Sequence, residues 1–421
     1  MTSSSSTALD WLDLSDQTVT VDQFFRQIGA SVFRPLPAIP LVPQEEFEGL
    51  AQAASLMMSL QAKLASRIIK SEGQDALLRR LKCPEGWGRF VDWDKLADAA
   101  HRVARLDLVR TIDGPKFIEF NVFGGVGGPD VYTPYAEIID GLAREDLSCG
   151  QSPFAHLADY YVHLIEKHSL NRIVLIDWEA HHAQGYPDFS TLKSYLEKRL
   201  PCVPISTHSE LDYPSSWLGP GRGRGILVHR VFTAGDLGGD LSFLRAVWES
   251  GAHFASGLED ELCMDKGWLA LFWEADASGN LSSHESAVLR TYLPETWFLN
   301  ADSMETALSN KDELIFKLRG SYGGDGVFIG REWGSDQLKN VLLDRGPDNF
   351  ITQTMLPSVS EMAPLDSHGP TIDIETVFGI YHYAGKSAGM MVRATRNARI
   401  VNAGTGAKIG WSAKYADIDI I

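Results

Sequence analysis

Four stretches of this chain carry residue types that could handle a metal ion and a nucleotide. The first runs Arg105-Leu106-Asp107, turns at Thr111-Ile112-Asp113-Gly114, and returns through Glu119-Phe120-Asn121 into the cluster Gly124-Gly125-Val126-Gly127-Gly128. Strand side chains alternate faces, so Arg105 pairs in facing with Asp107, and Glu119 with Asn121. An Asp-Gly turn that closes a hairpin would set all four on one surface. Two carboxylates and an amide oxygen there suit a hard cation such as Mg²⁺ bridging phosphates. Arg105 beside them would neutralise a terminal phosphate. The competing reading is a solvent-facing polar side of an amphipathic hairpin. Four polar groups in register, followed at once by a glycine-rich loop, favour the site.

The second stretch is a strand carrying Lys317, then a loop with Ser321, Gly323 and Gly324, then a returning strand from Gly326. Glycines let backbone N–H groups approach phosphate oxygens, while a lysine meets them as a point charge. The pattern is neither a Walker A loop nor a dinucleotide fingerprint; alone, it reads equally well as a tight β-turn. The third, Phe350 to Pro357, is an apolar strand on which Met355 and backbone groups could line an adenine pocket, or simply a core strand. The fourth combines Asp373 and Glu375 on one strand face, Arg393 on the next strand, and the loop Asn402 to Lys408. An arginine aimed at a transferring phosphoryl group under a glycine-rich lid supplies charge neutralisation and excludes water. A cation-rich surface hairpin is the alternative, credible for Arg396 and Arg399. His181-His182 hints at a metal, but adjacent side chains diverge, which favours a solvated loop.

These residues need elements to hold them. Residues 1–20 read as a loose tail. Helical spacing covers Glu45 to Lys70 and, similarly, Trp93 to Leu106. Short strands follow at Leu106–Val109 and Phe117–Phe120. Over roughly 151–260, Arg172–Asp177 and Gly225–Arg230 read as strands alternating with helices at Phe189–Arg199 and Leu241–Ser250, a small parallel α/β unit. Helices at Lys266–Glu274 and His284–Leu289 precede strands at Glu313–Leu318, Gly326–Ile329, Phe350–Met355, Thr371–Tyr383, Gly389–Ala394 and Arg399–Val401. The expected division is a tail over 1–20, helices plus the acidic hairpin over 21–150, the α/β unit over 151–260, and the lysine, flap and late strands over 261–421.

Composition narrows the partners. The 421 residues are 44% hydrophobic and 22% charged, ordinary for a globular protein. A net charge of −17 argues against nucleic acid, which surplus Lys and Arg hold, but not against ATP. No apolar run is long enough to span a bilayer, and Met1 to Thr7 lacks the features of a secretory signal. Four scattered cysteines, Cys83, Cys149, Cys202 and Cys263, form no zinc or disulfide pattern. A cytoplasmic location, no membrane partner and a homodimer are expected.

Together the motifs resemble the ATP-grasp superfamily in its circularly permuted form, as in the synthetase domain of glutathionylspermidine synthetase and eukaryotic glutathione synthetase. In the unpermuted order the metal residues follow the ATP lysines; here they come first. The resemblance covers the chain from about residue 95. It implies an α/β (α+β) ATP-grasp fold with a Rossmann-like pre-ATP-grasp subdomain behind an N-terminal helical region. It implies Mg²⁺ at Asp107, Glu119 and Asn121; ATP at Lys266, Lys317, Ser321, Gly323, Gly324, Gln353 and Met355; and phosphate or substrate at Arg105, Arg393 and Arg230. Leu293-Pro294-Glu295-Thr296 matches the Pro-x-Thr that follows the Lys266 helix. Leu318 after Lys317, where many members have Pro, and Asp325 inside the phosphate loop depart from the pattern. The implied activity is carboxylate–amine ligation through an acyl phosphate, releasing ADP and phosphate, with amino acids or small peptides as substrates. A phosphotransferase and a non-catalytic nucleotide-binding protein are the alternatives.

Overall fold

The computed structural model describes residues 8–142, 144–212, 219–396 and 400–416. At its centre lies a six-stranded sheet in which five strands run in the order Lys408–Trp411, Lys386–Thr395, Thr371–Tyr383, Val103–Thr111 and Gly114–Val122; the sixth, Glu361–Pro364, pairs with the start of Thr371–Tyr383. All of these pairings are antiparallel. The acidic hairpin therefore forms as expected, with Gly114 at φ +97° supplying the left-handed turn residue. Its strands are longer than the sequence suggested, because pairing continues to both ends of the ladder.

Against this sheet packs the 29-residue helix Gln44–Glu72. Leu50, Ala54, Met57, Met58, Leu64, Ala65 and Ile68 are buried along it at three- and four-residue spacing. The expected helix over Trp93 to Leu106 does not form. Only Trp93–Leu96 is helical, capped by Asp92; Asp98 then caps a single turn at Ala99–His101, and the strand begins at Val103. Asp98, extended as the cap of that turn, interrupts helix propagation, and the chain beyond finds backbone partners in Thr371–Tyr383.

Nor is the described part of the first twenty residues loose. Asp10–Asp13 pairs with Ala38–Pro43, in a four-stranded sheet with Ala413–Tyr415 and Leu147–Ser148. The helix Thr18–Gln27 follows, anchored by buried Val21 and Phe25. The apolar pairs in an otherwise polar stretch were too sparse to register as a periodic signal.

Arg172–Asp177, Ile205–Ser209, Ile226–Arg230 and His253–Phe254 make a parallel sheet in which Arg172–Asp177 lies between Ile205–Ser209 and Ile226–Arg230. Helices Pro153–His168, Ser190–Arg199 and Ser242–Ser250 accompany it, a small doubly wound unit of the kind the alternation predicted. A third sheet, of order Thr296–Phe298, Phe350–Thr354, Leu314–Leu318 and Val327–Ile329, is antiparallel throughout and carries the lysine-bearing flap. Residues 400–401 lie in no strand, and Arg399 falls outside the described residues. Among the described residues no helix is long and apolar enough to cross a membrane.

Candidate active site

The acidic hairpin and the flap sheet face one another across a cleft of about 620 Å³. Register puts Asp107 opposite Glu119 and Arg105 opposite Asn121. Arg105 Nε lies 2.7 Å from Asp107 Oδ1 and Nη2 3.1 Å from Oδ2. From the far side, Arg393 Nη2 donates to Asp107 Oδ2 at 2.7 Å, and Asn121 Nδ2 does so at 3.2 Å. Burial alone would raise the Asp107 pKa, but the two guanidinium groups outweigh it and hold the carboxyl below its ordinary value.

Lys317 rises from the flap sheet into the same space, donating to the Ile118 carbonyl at 2.9 Å and to Gln353 Oε1 at 2.7 Å. Its partner Gln353 is itself fixed by donation from Nε2 to Thr296 Oγ1 at 3.1 Å. Gln353 lines the cleft, yet its polar atoms are occupied in aiming Lys317. Burial draws Lys317 down to about 8, with Lys266 adding to the effect and Glu119 and Asp107 opposing it. Lys266, at the head of the helix Gly267–Ala277, lies 3.1 Å from Glu119 Oε1 and donates to the Ser321 carbonyl. Two lysines and two arginines thus meet around two carboxylates, although the acidic hairpin and Lys317 stand about two hundred residues apart.

The flap turns through Gly323, Gly324 and Gly326, all at positive φ. A Cβ on Gly324 would stand 2.7 Å from Ile400 Cγ2, so the flap lies directly against the segment leading to Asn402. Ile315, Val327, Ile329 and Met355 give the cleft an apolar end, suited to a purine ring. The Met355 amide already donates to the Glu313 carbonyl.

Of the thirteen residues that the resemblance assigned to metal, ATP, phosphate or substrate, eleven line this cleft. Ser321 does not: its hydroxyl donates to the Leu318 carbonyl at 2.8 Å, and with exposed Asp325 it borders a separate cavity outside the flap. Arg230 is the larger correction. It is 0% exposed, paired with Glu261 at 2.6 Å and donating to the carbonyls of Phe232 and Gly257. Its neighbours His229 and Val231 face a cavity instead, as strand alternation requires. Asp373 accepts from Ser360 away from the cleft, whereas Glu375 lines it. His181 stacks on Tyr186 and contacts Asp177 Oδ1 at 3.1 Å; nothing is described of the His182 side chain.

Gly379 was not recognisable as a site residue. It lies opposite Asp107 on the neighbouring strand, and a Cβ there would sit 2.6 Å from Arg105 Cδ and 2.9 Å from Asp107 Oδ1. Only a bare backbone leaves room for the ion pair. A glycine inside a strand pattern signals close approach but does not say of what.

The oxygen set fits a hard divalent cation in part. Glu119, partly exposed, and Asn121 Oδ1 offer oxygens to the cleft. Asp107 fits as a ligand once it releases a guanidinium, since both of its oxygens already accept from arginine. Among the described residues no three His, Cys, Asp or Glu side chains converge; here the third oxygen donor is an amide.

No family model and no curated protein matches this sequence. Among solved structures, a glutathione synthetase-like effector from Globodera pallida, in its apo form, is similar with a TM-score of 0.61 at 12% identity, over 96% of this chain and 97% of that one. A candidate gamma-glutamylcysteine synthetase from Methylobacillus flagellatus matches 83% of this chain and 86% of its own at 12% identity, with a TM-score of 0.43 that carries no weight. The likeness to the effector is one of architecture: this chain shares the fold of that glutathione synthetase-like protein.

Proposed function

We propose that this protein is an ATP-dependent carbon–nitrogen ligase, ADP-forming, that activates a carboxylate as an acyl phosphate on a circularly permuted ATP-grasp scaffold. The observation that supports it most is the meeting of Lys266, Lys317, Arg105 and Arg393 with Asp107, Glu119 and Asn121 in one cleft under a glycine flap. Catalysis of phosphoryl transfer is mainly positioning and charge neutralisation, and these side chains supply both.

In this reading the purine ring rests on Ile315, Val327, Ile329 and Met355. Lys317 and Lys266 meet the phosphates, and the loop 320–326 covers them. Mg²⁺ held by Glu119 and Asn121, with Asp107 after it exchanges partners, would neutralise charge between phosphate oxygens. Arg105 and Arg393 orient the substrate carboxylate, whose oxygen attacks the γ-phosphorus as the bond to the β-phosphate oxygen breaks and ADP leaves. An amine then attacks the acyl carbon, phosphate departs, and the nitrogen loses its proton. No residue of the chain becomes covalently bound. Amino acids or small peptides are the proposed substrates.

The test is ADP release from ATP and Mg²⁺ over a panel of amino-acid and dipeptide pairs, with mass spectrometry of the products. ADP and phosphate released only with an acid and an amine together, alongside a product lighter than their sum by one water, is the expected result. A stable phosphorylated substrate formed without an amine would replace the ligase with a phosphotransferase. Nucleotide binding with no turnover on any pair would overturn catalysis altogether.

A further inference from the structure

Beside the nucleotide cleft lies a second cavity of about 190 Å³, and Arg105, Arg393 and Asn402 line both. Its walls are largely apolar: Phe33, Phe154, Leu157, Phe189, Leu192 and Met391. The glycine-rich loop after the acidic hairpin forms one side and is pressed into place. A Cβ on Gly125 would collide with the Val231 backbone, and one on Gly128 with Met391 and Tyr381. His229 reaches the cavity but is neutral, since burial takes it down to about 4 and its Nδ1 meets Tyr161 Oη at 2.6 Å.

Two carboxylates, Asp130 and Asp188, interrupt this lining, and Asp130 is the more deeply buried. Asp130 is 4% exposed, and its Oδ1 has no hydrogen-bond partner among the described residues. The Thr191 hydroxyl and its own amide are its compensating contacts, and Asp188 stands near enough to repel it. Burial raises its pKa to about 7, the mark of a carboxyl with no cation beside it. Tyr383, also lining the cavity, has a buried hydroxyl without a partner among the described residues. A buried acid without a counter-charge is costly and becomes intelligible if the missing cation arrives with a ligand.

We propose that this cavity takes a single apolar α-amino acid, its ammonium on Asp130 and its side chain among the aromatic and aliphatic walls, with its α-carboxylate at Arg105 and Arg393. The cavity, of about 190 Å³, admits a side chain of leucine or phenylalanine size. Because the two arginines also border the nucleotide cleft, the α-carboxylate is the group presented for phosphorylation. Its oxygen gains the γ-phosphoryl group and ADP leaves, so the amino acid is the acid partner and the amine enters second. This assignment of the acid rests on the ligase reading; the binding site does not.

Calorimetry on the full chain without nucleotide tests the site, using L-leucine, L-phenylalanine, 4-methylpentanoate (leucine without its amine) and L-glutamate. Leucine or phenylalanine should bind at least tenfold more tightly than 4-methylpentanoate, and glutamate should bind more weakly than either. Asp130→Asn, nearly isosteric, should weaken leucine about tenfold or more while leaving 4-methylpentanoate unchanged, and Asp188→Asn should alter leucine far less. Thermal melting checks that the variants fold. If Asp130→Asn melts early, Leu192→Trp, which fills the cavity from its apolar wall, provides the second test and should abolish leucine binding. Equal binding of leucine and 4-methylpentanoate, or leucine binding indifferent to both substitutions, overturns the site. Asp130-dependent leucine binding without ADP release on any pair sinks the ligase reading and leaves the site standing. ADP release with glutamate but not leucine leaves the ligase reading standing and overturns the assignment of the bound amino acid as the acid partner.

Discussion

Arg393 reaches over a neighbouring strand to Asp107, Nη2 to Oδ2 at 2.7 Å, although 286 residues separate them. The intervening strand contributes Val377 opposite Arg393 and Gly379 opposite Asp107. With Arg105 on its other side, Asp107 is the common counter-ion of two largely buried guanidinium groups. Electrically the three form a unit with one excess positive charge on the wall of the cleft.

Asp107→Asn leaves both arginines without their counter-charge. Breaking a buried pair from one side costs about 3–5 kcal/mol, and chemical denaturation should record a loss of that order. Asp107→Asn combined with Arg393→Met should recover part of it. The pH dependence has a definite sign. The folded-state pKa of Asp107 is lowered, so its stabilising contribution is complete above the unfolded carboxyl value of about 3.9 and disappears as pH falls through the folded value. The substitution should therefore flatten the acid limb of a stability–pH curve and leave neutral slopes alone.

Lys317 should make nucleotide binding weaken in mild alkali. With its pKa near 8 in the free protein, about one molecule in ten is charged at pH 9, and phosphate affinity should fall with it. Lys317→Arg, charged throughout, should remove that alkaline fall even if absolute affinity drops. Gln353→Leu should weaken ATP binding through Lys317, because it deletes the acceptor 2.7 Å from Nζ. Titration with ATP at pH 7 and pH 9 reads all three; a wild-type affinity flat over that range contradicts the role.

Gly379→Ala should injure activity more than stability. The added methyl group meets Arg105 Cδ and Asp107 Oδ1 inside normal contact distance, and such overpacking costs roughly 1–3 kcal/mol. The ion pair must tilt to accommodate it, and a displacement near 1 Å at a phosphoryl-transfer site costs about 10²-fold in rate. Melting and turnover measured on the same preparation separate the two effects.

The acidic hairpin was legible because its two strands are joined by a short turn with an Asp-Gly signature, so local geometry alone aligned Asp107 with Glu119. Lys317 was legible only as a lysine before a glycine loop; that it meets the Ile118 carbonyl depends on how two sheets face, which local patterning does not encode. Arg230 came from the family resemblance, which does not fix strand parity. His229 and Val231 point into the cavity and Arg230 points away, so a correct strand assignment still produced a wrong site residue. Asp130 gave no signal: an Asp after Gly-Gly-Pro reads as an ordinary turn residue, and only burial without a partner sets it apart.

Removal of metal and removal of Glu119 should converge on the same defect. Chelation with EDTA should abolish ADP release, with recovery on addition of Mg²⁺. Glu119→Gln keeps the volume but loses the charge that offers an oxygen to the cation and pairs Lys266 at 3.1 Å. Loss of one preorganised electrostatic contact at a developing charge is worth roughly 10²–10³-fold in rate, and raised Mg²⁺ should restore part of it if affinity is what was lost. Partial exposure of Glu119 keeps the effect on folding small, so a melting temperature near wild type is expected. Near-normal ADP release by Glu119→Gln at ordinary Mg²⁺ would remove Glu119 from the metal-binding role, and with it the reason for reading this hairpin as a phosphate-handling site.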